Sequence, residues 1–163
     1  MKVSIIIPCY NEENTIAKLI ENVLKYTDSN FEIIIINDFS TDNTKSIIEN
    51  DLKDKVTKII NNDRNYGKGY SIRKGIEEAS GEIILIQDAD LEYDPADYEK
   101  LLKPIRNGFA DVVYGSRFAG SDEKRVLYFW HMLGNKLLTL LSIMLTNLNL
   151  TDMEVGYKVF KSN

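Results

Sequence analysis

Ile83-Ile84-Leu85-Ile86-Gln87-Asp88-Ala89-Asp90 is the stretch whose reading decides the fold. Four apolar residues end abruptly in two carboxylates with one small residue between them. A continuous apolar run of this length is the pattern of a strand buried on both faces. Residues 82–87 therefore read as a strand that delivers the Asp pair. On an extended backbone, residues i and i+2 point to the same side. Asp88 and Asp90 would then share one hard cation at the mouth of the strand, and oxygen ligands suit Mg²⁺ or Mn²⁺. Alone, Asp-x-Asp is a weak signal, because solvated loops after strands carry the same pattern.

The neighbouring segments give it weight. On the N-terminal side, residues 3–7 form an apolar run stopped by Pro8. Ile16, Leu19, Ile20, Val23 and Leu24 then recur at helical spacing, which predicts a helix over 13–26 capped by Asn11 or Asn14. Residues 31–36 are a second strand, ending in the polar turn 37–42. A helix over 43–50, a strand over 56–60 and a helix over 70–79 follow. Gly67-Lys68-Gly69 precedes that third helix, and Ser80-Gly81 closes it with glycine in its usual post-helix place. Beyond the Asp pair, Asp94-Pro95 opens a fourth helix, Gly108 ends it, and 111–115 is a fifth strand. Strands alternating with helices at short spacing specify an α/β domain, a mostly parallel sheet with helices on both faces. Ligands in such sheets sit at the carboxyl ends of the strands. Those ends carry Pro8-Cys9-Tyr10-Asn11-Glu12, Asn37-Asp38, Asp88-Ala89-Asp90 and Gly115-Ser116-Arg117, all polar or special and all on one edge.

Composition narrows the function. A length of 163 residues predicts one domain, and 44% hydrophobic residues are enough for a core. The net charge of −5 argues against a nucleic-acid partner. The single cysteine, Cys9, makes no internal disulfide and sets no zinc site, and it reads as a structural thiol. The single histidine, His131, has no nucleophile motif to serve. Met1 leads straight into a strand pattern without a signal peptide, and no apolar run reaches the ~18 residues of a membrane span. From Gly120 the pattern changes. Residues 121–125 form a charged loop holding Lys124 and Arg125. Residues 126–150, with Trp130 and many leucines, form an unusually apolar helix that belongs either to the core or a protein contact, or to a membrane surface. The tail reads as loop and then short strand. No closing element follows it, which suggests a domain truncated at its C-terminus.

Four segments together resemble family 2 glycosyltransferases of the GT-A fold. They are Ser4–Glu12 with its Pro8-Cys9-Tyr10-Asn11-Glu12 ending, Asn37 to Thr44, Asn65-Tyr66-Gly67-Lys68-Gly69 and Gln87-Asp88-Ala89-Asp90. Asp88 to Pro95, Gly115-Ser116-Arg117-Phe118, Thr151-Asp152-Met153-Glu154 and Gly156-Tyr157-Lys158-Val159-Phe160 narrow the likeness. They are similar to the dolichol-phosphate mannosyltransferase branch and its bacterial polyprenyl-phosphate relatives. Two positions depart from the pattern: Asn37 stands where relatives carry an acid, and the bulky Phe39 stands where they carry Gly or Asn.

The resemblance implies a single domain over 1–163, with a nucleotide-sugar half at 1–119 and an acceptor-side segment at 120–163. Pro8, Tyr10, Asn11, Glu12 and Asp38 would form the nucleotide pocket, and Lys68 would meet the diphosphate. Asp88, Ala89 and Asp90 would be the metal motif, with Mg²⁺ or Mn²⁺ on the two carboxylates. Arg117 would hold an acceptor phosphate, and Asp152, or Glu154 after it, would be the base if the acceptor were a hydroxyl. A lipid phosphate needs little base, because its second pKa is about 6. The expected activity is inverting transfer of a hexose from a UDP- or GDP-sugar to polyprenyl or dolichyl phosphate, at the cytoplasmic face of a membrane. Transfer to a saccharide hydroxyl, or donor binding without turnover, are the other readings.

Overall fold

The computed structural model describes residues 1–115, 129–146 and 156–162. Six strands form one sheet: β1 (Val3–Cys9), β2 (Phe31–Asn37), β3 (Lys58–Asn61), β4 (Ile83–Ile86), β5 (Val112–Tyr114) and β6 (Lys158–Lys161). The spatial order is β3-β2-β1-β4-β6-β5. β1 lies at the centre, parallel to β2 and β4, and β3 continues the parallel set. β6 departs from the expected simple alternation. It enters antiparallel between β4 and β5, so the tail strand is an interior member of the sheet.

Five helices accompany the strands: α1 (Ile16–Lys25), α2 (Thr44–Asp51), α3 (Lys68–Glu77), α4 (Tyr98–Arg106) and α5 (Phe129–Thr146). Side-chain alternation along β1 assigns the first four to faces. Val3, Ile5 and Ile7 pack into one cluster with Ile16, Leu19, Ile20 and Val23 of α1, Ile48 of α2 and Leu102 of α4. Ile6 turns the other way, towards Ile34, Ile36 and Ile84. On that second face α3 comes so close that a Cβ on Gly75 would lie 2.5 Å from Ile6 Cγ2. The buried 16-19-20-23 stripe of α1 is the 3.6-residue period made physical.

Several boundaries differ from expectation for identifiable reasons. β1 continues through Pro8 to Cys9. The carbonyls of Lys2 and Ile6 accept from Ile83 and Gln87, so even positions of β1 face β4. Pro8 falls on that side just past the last pair, Ile6 with Ile86, where a missing donor costs nothing. α1 begins at Ile16 with Thr15 as its cap, not Asn11 or Asn14. Gly81 is no helix cap either. A Cβ there would meet Ser4 Oγ at 2.5 Å, so close approach to β1 is what selects glycine. The fourth helix opens as expected at Asp94, whose carboxylate accepts from Ala96 N–H, with a 3-10 turn (Pro95–Asp97) before α4.

At the amino edge of the sheet the buried Glu32 joins three segments. Its carboxylate accepts from Ser80 N–H (2.6 Å), from Ser80 Oγ (2.7 Å) and from the Ser4 hydroxyl, and pairs with Lys2 Nζ at 2.7 Å. Burial pushes its pKa up, but the Lys2, Ser4 and Ser80 contacts outweigh that and bring it from 4.5 down to about 2. A lowered folded-state pKa contributes stability that is fully present above the unfolded value and is lost as pH falls towards the folded one. The shift corresponds to about 3 kcal/mol. Urea midpoints are expected to stay level from pH 7 to 5 and to fall between about pH 4.5 and 2. Glu32→Gln should remove much of that slope. An unchanged slope in the variant would assign the acid sensitivity elsewhere.

α5 is not core. Leu133, Leu137, Leu140, Leu141, Met144 and Leu145 are 47–87% exposed. Their spacing places them on one side of the helix. Among the described residues no helix is long and apolar enough to cross a membrane.

Candidate active site

The carboxyl ends of β1, β2 and β4 lie side by side because β1 pairs with both neighbours. Above them is a cavity of about 220 Å³. Pro8, Tyr10, Glu12, Asp38, Lys68, Asp88, Ala89 and Asp90, all read as donor-site residues from the sequence, line it. Cys9, which sits in the same strand-end motif but reads as a structural thiol, and Ser71, which carries no sequence signal of a site, line it as well. Arg117, Lys124, Arg125, Asp152 and Glu154 lie outside the described residues.

Asn11 is the one donor-site residue that does not line the cavity. It adopts φ 57°, a left-handed conformation asparagine tolerates. Its N–H donates to Ser40 Oγ (3.1 Å) and its side-chain oxygen accepts from Thr41 N–H (2.8 Å). Asn11 thus ties the loop after β1 to the loop after β2. Glu12 N–H donates to Thr44 Oγ1 at 2.7 Å, fixing the same junction, and its carboxylate accepts from the Thr15 hydroxyl. Of the two departures from the pattern, Asn37 has a local explanation and Phe39 has none. Asn37 donates through Nδ2 to Asn61 Oδ1 (2.8 Å) and accepts from Ser40 N–H (3.1 Å), a dual role that a carboxylate cannot fill. Phe39 has φ 62°, where a glycine or asparagine is easier to place.

Asp38 is buried and does two things. It lines the cavity, and it anchors the glycine-rich segment. Oδ1 accepts from Asn62 Nδ2 (2.7 Å) and Tyr66 N–H (3.0 Å), and Oδ2 from Gly67 N–H (2.7 Å). Burial pushes its pKa up, yet these hydrogen bonds outweigh it and hold the carboxyl below its ordinary value. Gly67, at φ 88°, turns the chain into α3, so Lys68 is the first residue of a helix and not part of a loose glycine turn. Lys68 Nζ reaches Asp88 Oδ1 at 2.6 Å.

β4 stops at Ile86, before either carboxylate. The extended-strand argument for Asp88 and Asp90 therefore does not apply; a turn brings both to the cavity instead. Leu91 at φ 63° and the bond from Glu92 N–H to Asp90 Oδ1 (3.0 Å) shape that turn. Asp88 Oδ1 is buried and accepts no hydrogen bond among the described residues; the Lys68 ammonium supplies charge without hydrogen-bond alignment. A buried carboxylate oxygen met only by an ammonium, with a second carboxylate on the same cavity, fits a hard divalent cation that takes the ammonium's place. Among the described residues no cluster of three or more His, Cys, Asp or Glu is poised for a metal. The chain would supply two carboxylates, which suffices for an ion that takes its other ligands from phosphate and water. Cys9 is held as a thiol, in keeping with a structural role. Burial first, then the charges of Glu12, Asp42 and Asp38, push its thiol up to about 12.

A family model described as glycosyl transferase family 2 matches residues 4–161. The chain belongs to that family. Over 139 residues it is 33% identical to the dolichol-phosphate mannosyltransferase of Pyrococcus furiosus, a stretch covering 83% of this chain and 39% of that protein. It thus spans well under two thirds of the length of such curated relatives. Glucosyl-3-phosphoglycerate synthase from Mycobacterium tuberculosis, solved with Mn²⁺ and UDP, shares the fold at TM-score 0.73. The match covers 98% of this chain and 56% of that one at 20% identity. Another solved structure also aligns: the mannosyltransferase PcManGT of Pyrobaculum calidifontis in complex with GDP-Man and Mn²⁺. The alignment gives TM-score 0.51 and 26% identity, covering 55% of this chain and 27% of that one. The mixed six-stranded sheet with helices is the GT-A fold.

Proposed function

We propose that this chain is the donor-binding part of a metal-dependent, inverting glycosyltransferase that moves a hexose from a UDP- or GDP-sugar to a polyprenyl or dolichyl phosphate. The observation that carries the reading is the meeting of Asp88, Asp90 and Lys68 on one cavity above β1 and β4. Breaking the anomeric C–O bond of a nucleotide sugar leaves negative charge on the diphosphate. A divalent ion, Mg²⁺ or Mn²⁺, supplies Lewis-acid stabilisation of that charge when bound. Asp88 and Asp90 would hold it, and Lys68 would turn from Asp88 to the phosphate oxygens. Tyr10, Pro8 and Glu12 would receive the nucleoside. Asp38 keeps the glycine-rich segment in place beneath them.

A phosphate-monoester acceptor is already anionic near neutral pH, so its oxygen attacks the anomeric carbon as the bond to the diphosphate breaks, and no general base is needed. Arg117, two residues beyond Gly115, would hold that acceptor, and Asp152 would orient it. The likeness to the Pyrococcus furiosus enzyme supports the lipid phosphate. So does the exposed apolar side of α5, which would rest on a membrane surface at its cytoplasmic face.

A panel of UDP- and GDP-sugars is to be tested with polyprenyl phosphate against a panel of sugar acceptors. Transfer to the lipid phosphate is expected, with Arg117→Ala raising the acceptor KM about tenfold or more and the donor KM little. Transfer to sugar hydroxyls alone, or an unchanged acceptor KM in the variant, would replace the lipid acceptor by a saccharide. Donor binding without transfer or hydrolysis would leave a binding module.

A further inference from the structure

Directly behind the Asp88-Ala89-Asp90 turn lies a cluster that does not line the cavity. Gln87 is fully buried, and its two ends are both used. Oε1 accepts from the hydroxyls of Tyr98 (2.8 Å) and Tyr157 (2.9 Å), while Nε2 donates to the carbonyl of Asp88 (3.0 Å). Burial pushes both phenols up, so they remain protonated donors across the working pH range. The Tyr93 ring packs on Tyr157 with centroids 4.9 Å apart, and its hydroxyl accepts from Gly156 N–H at 2.8 Å. Gly156 is the residue that closes on the carboxylate itself. A Cβ there would lie 2.6 Å from Asp88 Oδ2, 2.4 Å from Tyr93 Cε2 and 2.8 Å from Tyr93 Cζ.

The two oxygens of Asp88 therefore have different surroundings. Oδ1 faces Lys68, and Oδ2 lies against the backbone of Gly156. Any side chain at 156 would push the carboxylate round its χ angles or push the turn away from the sheet. Gln87 fixes the Asp88 main chain from below, and Gly156 limits the side chain from one side. Gly156 stands two residues before β6, which is hydrogen-bonded between β4 and β5, and Gly115 N–H donates to the carbonyl of the intervening Tyr157 at 3.0 Å. We propose that Gly156, held by the Tyr93 hydroxyl and backed by Gln87, is a positioning residue that sets the direction of the Asp88 carboxylate towards the cation. This rests on the reading of Asp88 and Asp90 as the metal pair.

The test reads Mn²⁺ binding by electron paramagnetic resonance, with UDP and then GDP present, alongside circular dichroism for the fold. Gly156→Ala is expected to weaken Mn²⁺ at least tenfold. Tyr93→Phe, which keeps the ring and loses only the hydroxyl, should weaken it about threefold with the fold intact, and it decides the question if Gly156→Ala does not fold. The double variant Gly156→Ala with Tyr93→Ala removes the clash with the ring but keeps the methyl against Asp88. It should fold and still bind Mn²⁺ poorly. Wild-type affinity in the single or the double alanine variant, or in Tyr93→Phe where neither alanine variant folds, would overturn the positioning role while leaving the metal pair standing. A wild-type protein that takes up no Mn²⁺ with either nucleotide would overturn the metal pair, and this role with it.

Discussion

Asp90→Ala is expected to cut sugar transfer by about a thousandfold, since loss of a cation ligand at the leaving group removes several kcal/mol of transition-state stabilisation. Its effect on the fold should be small. Asp90 is exposed, and its carboxylate accepts a turn bond from Glu92 N–H. Losing such a bond at the surface costs about 1 kcal/mol or less. Asp90 is therefore a cleaner probe than Asp88, whose removal would also strip Lys68 of its partner. The check is transfer rate against thermal midpoint, measured at saturating Mg²⁺ and at saturating Mn²⁺. Full activity in Asp90→Ala with either ion would remove it from the metal site.

The second large effect belongs to Asp38. Replacing it with alanine leaves Tyr66 N–H and Gly67 N–H without their acceptor and takes one of two acceptors from Asn62 Nδ2, which keeps Ser71 Oγ at 3.1 Å. Hydrogen bonds to a charged group are worth about 1.5–3 kcal/mol each, and the freed segment will recover part of that from water. A net loss of about 3 kcal/mol is expected, a fall in Tm of roughly 6–12 °C for a chain of this size. Asp38→Asn should be nearly as damaging, because its amide group would face a donor. The donor KM should rise in both, since Lys68 follows Gly67 directly into α3. The carboxyl is held below its ordinary pKa, so its contribution is present above the unfolded value and fades as pH falls beneath it. A variant with a normal Tm and a raised donor KM would make Asp38 a direct ligand contact alone.

What was legible in the sequence was the part governed by local pattern. Apolar runs such as residues 31–36 and the stripe 16-19-20-23 specify which face is buried, and the strand ends then fall on one edge. What was not legible depends on partners distant in sequence. Nothing local says that Lys158–Lys161 enters between β4 and β5, because two apolar residues flanked by lysines suit an edge as well as an interior position. Asn11 was read as a pocket residue on its motif, and only its partners Ser40 and Thr41 reveal a loop clasp. Gly81 was read from its place after a helix, whereas its neighbour Ser4 is 77 residues away in sequence. Ser71 lies on the first turns of α3, and its approach to the cavity follows from where Asp38 holds Gly67.

The interior place of β6 has a consequence for how the molecule is made. Until residues 158–161 leave the ribosome, β4 has a partner on its β1 side only. Its other side is then an open row of backbone donors and acceptors on the segment Ile83–Ile86, apolar throughout. Such an edge is a template for pairing with another chain. The strand that leads to the candidate metal pair thus gains its second neighbour only once β6 has been made, and until then the nascent chain carries an open, aggregation-prone edge.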